Sequence, residues 1–202
     1  MDAKRKIILA TLDIIKTGGM RAIRHRAVAA KAQVSLGSTT YHFKDIEDLI
    51  TSAFIYWHEQ ADIDKNPYYQ SLTQSISVDN TDALSSAELT DILISYGEQY
   101  LYDQIFVRTD DRLIELAFHN EALRSDKLSG LMLVSWQEEV ARLTNLFAGL
   151  SVPNAEFAGE STFALFMQLE KKALLVKDPQ AQKDEWQKMK LVFAQHVRLI
   201  VG

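Results

Sequence analysis

The sequence has 202 residues and contains no cysteine. Disulfide scaffolds, cysteine-ligated zinc, iron–sulfur clusters and thiol nucleophiles are therefore excluded together, and a reducing cytoplasm is the expected location. No apolar run approaches the roughly 20 residues that a membrane helix needs, and the residues after Met1 begin a short amphipathic pattern instead of a signal peptide. We therefore expect a cytoplasmic protein that is neither secreted nor membrane-spanning.

Proline and glycine are also scarce, with three and eight residues respectively. Between these breaks the apolar residues recur mostly at spacings of three and four, which is typical of α-helices, whereas the alternation of a strand is rare. The sequence therefore predicts an all-α fold, with Ser35 and Asp45 as helix N-caps and Gly18-Gly19 as a stop. The predicted helices cover about 3–17, 24–31, 36–42, 46–57, 87–106, 109–124, 127–149, 155–177 and 180–201, with a polar loop at about 65–86.

Positive charge is in the minority overall but is concentrated at one end. The chain has 22 Lys and Arg against 27 Asp and Glu, a net charge of -5, which is not the balance of a nucleic-acid-binding protein. Up to Lys44, however, nine basic residues accompany only two acidic ones, so this segment carries +7 and residues 45–202 carry -12. The split indicates a basic module fused to an acidic body, although charge alone leaves open a solvated basic face with no partner.

Two short predicted helices lie inside the basic segment and are joined by a three-residue turn. This arrangement fits the helix-turn-helix, in which the second helix enters the major groove of DNA. Ala27, Val28 and Ala32 are small enough for the two helices to cross closely, and Val34 is expected to fill the turn. The second helix is expected to expose the hydroxyls of Ser38, Thr39 and Thr40, which hydrogen-bond base edges or phosphates with little loss of rotamer freedom.

At residues 7–50 the sequence resembles the TetR-type (TetR/AcrR) bacterial transcriptional regulators, without a gap. The run 24–30, with 39–41 and 43–46, is most similar to a subset that includes a regulator of biofilm genes. The remaining 150 or so residues are similar to the family only in length, helicity and acidity. The matching residues are the Ile-Leu and Ile-Ile pairs of the first helix, Gly19, Val28-Ala29, Ala32, Val34-Ser35, Gly37, His42-Phe43 and Leu49.

The resemblance implies an N-terminal three-helix helix-turn-helix DNA-binding domain at 1–48 and a C-terminal helical ligand-binding and dimerisation domain at 49–202. It implies a homodimer on a palindromic double-stranded DNA operator, repression as the usual mode, and control by a small-molecule effector. A two-fold dimer places its recognition helices about one DNA turn, 34–36 Å, apart, and a single small helix-turn-helix offers too little surface for specific binding.

Four residues of this region depart from the family pattern, and the fourth is Arg24 at the start of the second helix. Gln33 occupies the position of the usual glycine of the turn, so we expect a slightly different turn conformation. Thr40 replaces an aromatic that contacts phosphate, and Tyr41 is expected to take over that contact. Ile46 replaces a lysine at the start of the fourth helix, and Lys44 is the nearest substitute.

The resemblance also assigns roles to residues of the two short helices. Arg26 lies where the family reaches the major groove, and its guanidinium suits guanine O6 and N7, with a phosphate contact or a free side chain as the alternative. Leu36 or Tyr41 is expected to touch a thymine methyl group. Arg24 replaces the usual Thr cap, so the helix it precedes lacks a side-chain cap, and Arg24, Thr40, His42 and Lys44 are expected to clamp the DNA backbone. The predicted DNA-binding residues are Arg24, His25, Arg26, Ser35, Leu36, Ser38, Thr39, Thr40, Tyr41, His42 and Lys44.

The acidic body contains aromatic and Met side chains at helical spacing. In the family, equivalent helices enclose a pocket for a small effector, whereas plain core packing is the alternative for each side chain. The predicted pocket residues are Tyr96, Tyr100, Phe118, Met132, Trp136, Phe163 and Met167. The last two helices each have an apolar seam, and we expect one face to pack on its own domain and another on a second copy, unless they form a monomeric hairpin. The predicted dimer residues are Phe163, Met167, Leu174, Trp186, Met189, Phe193, Val197 and Ile200.

The sequence gives little support to an enzyme. Asp111, Glu115 and His119 have a spacing that could present metal ligands, but no other helix has a matching Glu-x-x-His, and a solvated face or a local Glu–His hydrogen bond is the default. There is no P-loop, G-x-S-x-G or H-E-x-x-H. We therefore expect no catalytic residue, metal or cofactor. Two alternatives stay open: an effector-independent regulator, and a helical small-molecule-binding or catalytic protein that has lost DNA binding.

Overall fold

The computed structural model describes residues 2–60, 70–72, 74 and 84–202. These residues form helices and contain no strand, so the all-α prediction is confirmed. None of the helices in the described ranges is long and apolar enough to cross a membrane. The helices are α1 Ala3–Gly18, α2 His25–Ala32, α3 Leu36–His42, α4 Ile46–Gln60, α5 Ser86–Tyr102, α6 Thr109–Ala122, α7 Asp126–Gly149, α8 Ala155–Leu175 and α9 Pro179–Val201.

Local sequence signals place most helix ends within two residues of prediction. Gly19 ends α1 with a φ of 68°, and the carboxylate of Asp45 accepts the Asp48 N–H at 2.8 Å at the start of α4. The predicted loop at 65–86 lies mostly outside the described residues, and residues 70–72 within it are helical. Two ends differ by more: α4 continues to Gln60, and α5 stops at Tyr102 and gives way to a π-helical turn, Asp103–Val107.

The helices pack into two compact units. One contains residues 1–62 and 113–133, and the other contains 63–112 and 134–202, as far as these are described. Helices α6 and α7 therefore each contribute residues to both units. This division follows packing, and the functional boundary at residue 48 stays a prediction.

The core of the first unit joins α1 to α4 with parts of α6 and α7. The ring of Phe118 from α6 is fully buried, with its centroid 5.3 Å from that of Phe54 and 5.8 Å from that of Trp57. Phe43 is buried directly after α3 and ties the short helices to this core. The burial of these aromatic side chains stabilises short helices such as α2 and α3, which would not be stable alone.

The core of the second unit is built where α5, α8 and α9 meet. Phe193 of α9 packs so closely on α5 that a Cβ added at Gly97 would lie 2.1 Å from its ring. Phe166 of α8 stacks on Tyr100 at 5.1 Å between ring centroids and lies 5.4 Å from Phe193. Glycine at position 97 is thus required by the close approach of an aromatic ring, not by its backbone conformation.

The sequence predicts a slightly different conformation for the turn between α2 and α3, because Gln33 stands in place of glycine. The turn nevertheless has the left-handed conformation that glycine favours. Gln33 has φ 55° and ψ 46°, the left-handed conformation that glycine adopts most easily, and its N–H reaches the carbonyls of Ala29 and Ala30. The left-handed geometry of the turn is therefore present although a residue with a Cβ occupies it. Such a residue is strained there by about 1–2 kcal/mol.

Replacing Gln33 with glycine relieves this strain, so the free energy of unfolding should rise by about 0.5–1 kcal/mol. Chemical denaturation of the two proteins measures the change. The matched control is Ala30→Gly, three residues earlier in α2, which should lower the free energy of unfolding by about 1 kcal/mol because its position is helical. Equal effects of the two substitutions would contradict the assigned turn.

Candidate functional site

Helices α2 and α3 form the predicted helix-turn-helix. Val28, Ala29 and Ala32 are buried on the inner side of α2, and Val34 packs on the same core from the turn. Ala27 is exposed, so its predicted place in the helix crossing is wrong, and Ala29 is the buried small residue instead. α2 has no side-chain cap, as predicted from Arg24.

Ser35 is confirmed as the N-cap of α3. Its hydroxyl accepts the Ser38 N–H at 3.1 Å and donates to the Ser38 hydroxyl at 3.2 Å. Ser38 is half-buried beside it. Both side chains thus fix the start of α3, which limits how freely they can turn toward a ligand.

The outward side of α3 consists of four residues, which we call the outward face: Leu36, Gly37, Thr40 and Tyr41. Helical spacing places Thr40 beside Leu36 and Tyr41 beside Gly37. Leu36 is 43% exposed and Tyr41 is 85% exposed. The Thr40 hydroxyl donates to the Gly37 carbonyl at 3.2 Å.

Thr39 does not belong to the outward face, and its predicted exposure is wrong. Its side chain is fully buried, and its hydroxyl donates to the Leu36 carbonyl at 2.8 Å. Thr39 lies four residues before Phe43 and therefore on the same side of the helix as that buried ring. The backbone carbonyl satisfies the hydroxyl, so a threonine is tolerated in the core.

Exposed basic side chains occur in the segments that precede and follow α3 in the chain. Arg26 and Lys44 are exposed. Arg24 is also exposed, but its Nη1 donates to the carbonyls of Arg21 at 2.9 Å and Ile23 at 2.7 Å, which holds the guanidinium close to the backbone. His42 is half-buried, and so is His25, whose Nδ1 has no hydrogen-bond partner among the described residues.

One of the two acidic residues of this segment is neutralised locally. Asp13 pairs with Lys31 of α2 and with Lys16 at 3.7 Å. The hydrogen bond from Lys31 is the main reason that the pKa of Asp13 is lowered from its usual value. Arg26 and Lys44 are not part of this ion-pair cluster and are exposed to solvent.

The turn between α6 and α7 contacts the start of α4. The Ser125 hydroxyl donates to Glu47 at 2.7 Å, and the Lys127 ammonium lies 3.9 Å from Asp48. Asp48 also accepts the Lys44 N–H at 3.1 Å. Residues that follow α3 directly are therefore held by a segment about 80 positions away in the chain.

The seven predicted pocket residues are divided between the two units. Phe118 and Met132 are buried in the core of the first unit. The others belong to the second unit, where Trp136 is 37% exposed and its ring lies 6.0 Å from that of Phe163. A pocket of about 300 Å³ is lined instead by Leu84, Ser86, Leu89, Leu150, Ser151, Val152 and Val201, none of which was predicted.

Most of the predicted dimer residues are buried within their own chain. Leu174, Met189, Phe193, Val197 and Ile200 are each at most 8% exposed, so they pack inside their own chain and offer little surface to a second copy. Trp186 is half-buried between Tyr102 and Phe106, and Phe163 and Met167 are half-buried.

A second set of apolar side chains lies exposed on the opposite sides of α8 and α9, with polar residues between them. On α9 it contains Leu191, Val192 and Leu199, and on α8 it contains Phe157 and Leu175, which are 18 residues apart and therefore on the same side of that helix. Leu191, Leu199, Leu175 and Phe157 are each about 70% exposed. We call these five residues the α8/α9 stripe.

Sequence reasoning did not find a buried ion pair in the second unit. Arg112 of α6 approaches Glu170 of α8 with 3.3 Å between Nη1 and Oε2, and both side chains are largely buried. The partners are 58 positions apart, and no local signal connects them. In the first unit, His119 Nε2 lies 3.7 Å from Glu115 Oε1, too far for the hydrogen bond that the sequence suggested as one default. The described residues contain no group of three side chains suited to a metal.

One imidazole links the last two helices. His196 Nε2 and the Thr162 hydroxyl share a hydrogen bond of 2.8 Å, and Thr162 is buried. Burial lowers the pKa of His196 because the charged imidazolium loses its hydration.

Comparison with solved structures identifies the fold. A TetR-family transcriptional regulator from Rhodococcus sp. is 16% identical with a TM-score of 0.68, and all of both chains is covered. A transcriptional regulator from Saccharomonospora viridis in complex with choline is also 16% identical, at a TM-score of 0.68 with 96% of each chain covered. The multidrug binding protein EbrR complexed with malachite green is 22% identical, with a TM-score of 0.57 and 95% of this chain and 98% of that one covered.

These likenesses show that the chain has the fold of the TetR-family regulators, as the residue pattern of 7–50 predicted. No protein-family model matches the sequence. No curated protein matches it either.

The lowered pKa of His196 makes stability depend on pH. Below the ordinary histidine pKa of about 6.5 the unfolded chain binds a proton that the folded chain resists, so the free energy of unfolding should fall as pH drops from about 6.5 through the folded pKa. His196→Gln keeps a hydrogen-bonding side chain for Thr162 but cannot titrate. Urea denaturation at pH 7 and pH 5 should show a smaller loss for this variant, and an equal loss in both proteins would contradict the assignment.

Proposed function

We propose that the chain is a cytoplasmic DNA-binding transcriptional regulator that binds a palindromic operator as a homodimer and responds to a small-molecule effector. Its proposed mode of action is repression. The observation that carries this proposal is the helix-turn-helix, whose outward face is exposed and whose neighbouring residues Arg26 and Lys44 are exposed cations. The regulators that share the fold support it. Nothing in the proposal requires a catalytic residue.

The DNA contact is supported by charge as well as by shape. Residues 1–44 carry a net charge of +7, while the rest of the chain carries -12. The electrostatic potential therefore attracts phosphates to the N-terminal segment and repels them from the rest of the chain. Arg24, Arg26 and Lys44 are exposed beside α3 and are suited to the DNA backbone, and Arg26 also to a guanine edge.

The dimer is supported by the α8/α9 stripe. Large apolar side chains that are exposed together on one pair of helices are typical of an interaction surface. A two-fold axis brings the same stripe of each copy together, so that two helices from each subunit bury it. In this arrangement the seam buried inside each chain and the stripe buried between chains lie on opposite sides of α9.

The effector is assigned to the second unit. Two proteins with this fold were found with organic molecules bound, choline in one and malachite green in the other. Here Tyr96, Tyr100 and Met167 are half-buried side chains of that unit, and Tyr100 stacks on Phe166. An effector that binds one spacing of the two recognition helices more tightly than another would shift DNA affinity by that difference.

Selection of genomic DNA on the purified protein tests the DNA-binding function. We expect enrichment of an inverted repeat whose half-sites are about one helical turn apart, and affinity for it should fall steeply with salt although the protein is acidic overall. Arg26→Ala should weaken binding, whereas Arg124→Ala, which removes the same charge from the turn after α6, should not. The proposal fails if no inverted repeat is enriched. An affinity that does not change with salt would contradict the proposed phosphate contacts.

Leu199→Asp tests the dimer. Leu199 is 73% exposed, so the charge should not disturb the fold of one chain, but it would be buried without a partner between two copies. Sedimentation analysis should show the mass of one chain for this variant and of two for the parent. Leu123→Asp is the matched control, because Leu123 is 83% exposed but lies outside the stripe, and it should stay dimeric. A dimeric Leu199→Asp variant would place the interface elsewhere.

A further inference from the structure

His196 lies at the border between the buried and the exposed side of α9. It follows Val192 by four positions and precedes Leu199 by three, so it lies beside both of these members of the α8/α9 stripe. It is also three positions from Phe193 and four from Ile200, which are buried in the core of the second unit. The imidazole itself is half-buried. It therefore lies at the edge of the surface that a second copy is proposed to cover.

A hydrogen bond from α8 holds the imidazole in this position. The His196 Nε2 lies 2.8 Å from the hydroxyl oxygen of Thr162, and Thr162 is only 3% exposed. A threonine hydroxyl can donate this hydrogen bond to a neutral imidazole or accept it from a protonated one. The hydrogen bond can therefore form in both protonation states, and the surroundings of the ring decide which state is favoured.

In the described parts of the chain, no charged side chain shifts the pKa of this imidazole, which is lowered by burial alone. Arg198 is the nearest charged residue along α9, and Glu160 is the nearest to Thr162 along α8. Each lies two positions away and therefore faces another side of its helix. The third helix of this core is α5, whose charged residues are Glu88, Asp91 and Glu98. A protonated His196 thus has no carboxylate that would offset the cost of its burial.

A second copy that covers Val192 and Leu199 removes further water from the imidazole between them. Burial of an unpaired charge is costly, so the neutral ring is favoured more strongly in the dimer than in the free subunit. The free subunit therefore binds a proton more readily than the dimer does. By linkage, a falling pH shifts the equilibrium toward the free subunit.

We propose that His196 makes the dimer acid-labile: its imidazole is neutral while two copies are joined, and protonation of the ring separates them. This inference rests on the proposed homodimer and adds a form of control that needs no effector. Because specific binding requires two recognition helices, acid should also release the operator.

The dissociation constant of the dimer, measured by sedimentation between pH 7.5 and pH 5.5, tests the inference. It should rise as pH falls, by up to about tenfold per pH unit for each imidazole and so by up to about 100-fold for the two imidazoles of a dimer. Circular dichroism at each pH defines the range in which the chains stay folded. A dissociation constant that stays the same or falls in acid within that range would overturn the inference.

His196→Gln assigns the effect to one side chain. Glutamine keeps a hydrogen-bonding group for Thr162 but cannot bind a proton, so the dissociation constant of this variant should change little between pH 7.5 and pH 5.5. His58→Gln is the matched control, because it removes a half-buried imidazole from the first unit and should keep the pH dependence of the parent. An equal pH dependence in His196→Gln and in the parent would place the titrating group elsewhere and refute the assignment.

Proton uptake tests the same step without any substitution. Dilution calorimetry of the parent in two buffers with different heats of ionisation counts the protons that bind when the dimer separates. In the pH range where the dissociation constant rises, we expect uptake of up to one proton for each chain. Dissociation without proton uptake in that range would contradict the inference.

The mass of the parent at pH 7.5 separates failure of the dimer from failure of the acid response. If the parent has the mass of one chain at this pH, the proposed homodimer is wrong and the inference falls with it. If the parent is dimeric and its dissociation constant does not depend on pH, the homodimer stands and the role of His196 is refuted.

Discussion

The side chain of Phe43 is almost completely buried directly after α3, and this burial fixes which side of the seven-residue helix faces outward. The Phe43 N–H also donates to the carbonyl of Thr39, which is buried on the same side. Leu36, Gly37, Thr40 and Tyr41 face outward as a consequence. A helix of this length is not stable alone, so the anchoring of its last turn decides both whether it forms and what it presents.

A similar constraint governs α9. Burial of Met189, Phe193 and Val197 against the second unit leaves Leu191 and Leu199 on the other side of the helix. Phe193 is the key contact, because its ring occupies the space left by Gly97 on α5. The helix therefore has apolar residues on two sides, and only one of these sides is buried within the chain.

The sequence was sufficient wherever the deciding interaction is local. Helix ends and the caps at Ser35 and Asp45 depend on residues within four positions, and the structure places most of them as predicted or nearly so. Side-chain direction depends on distant partners and was often missed. A threonine in a short helix reads as polar and exposed, and only the position of Phe43 shows that Thr39 is inside. Periodicity identifies the apolar seam of α9 but does not show whether its own chain or a second copy covers that seam.

The chain order of the first unit limits how the protein can be divided. Its core is assembled from the described residues of 1–62 together with 113–133, and Phe118 from the second of these segments contacts Phe54 and Trp57 from the first. A fragment cut after α4 would lack that ring and would leave those aromatic side chains in water. The helix-turn-helix is therefore not a cassette that can be excised or grafted onto another protein as a continuous stretch of sequence, because a module that folds independently would need both segments.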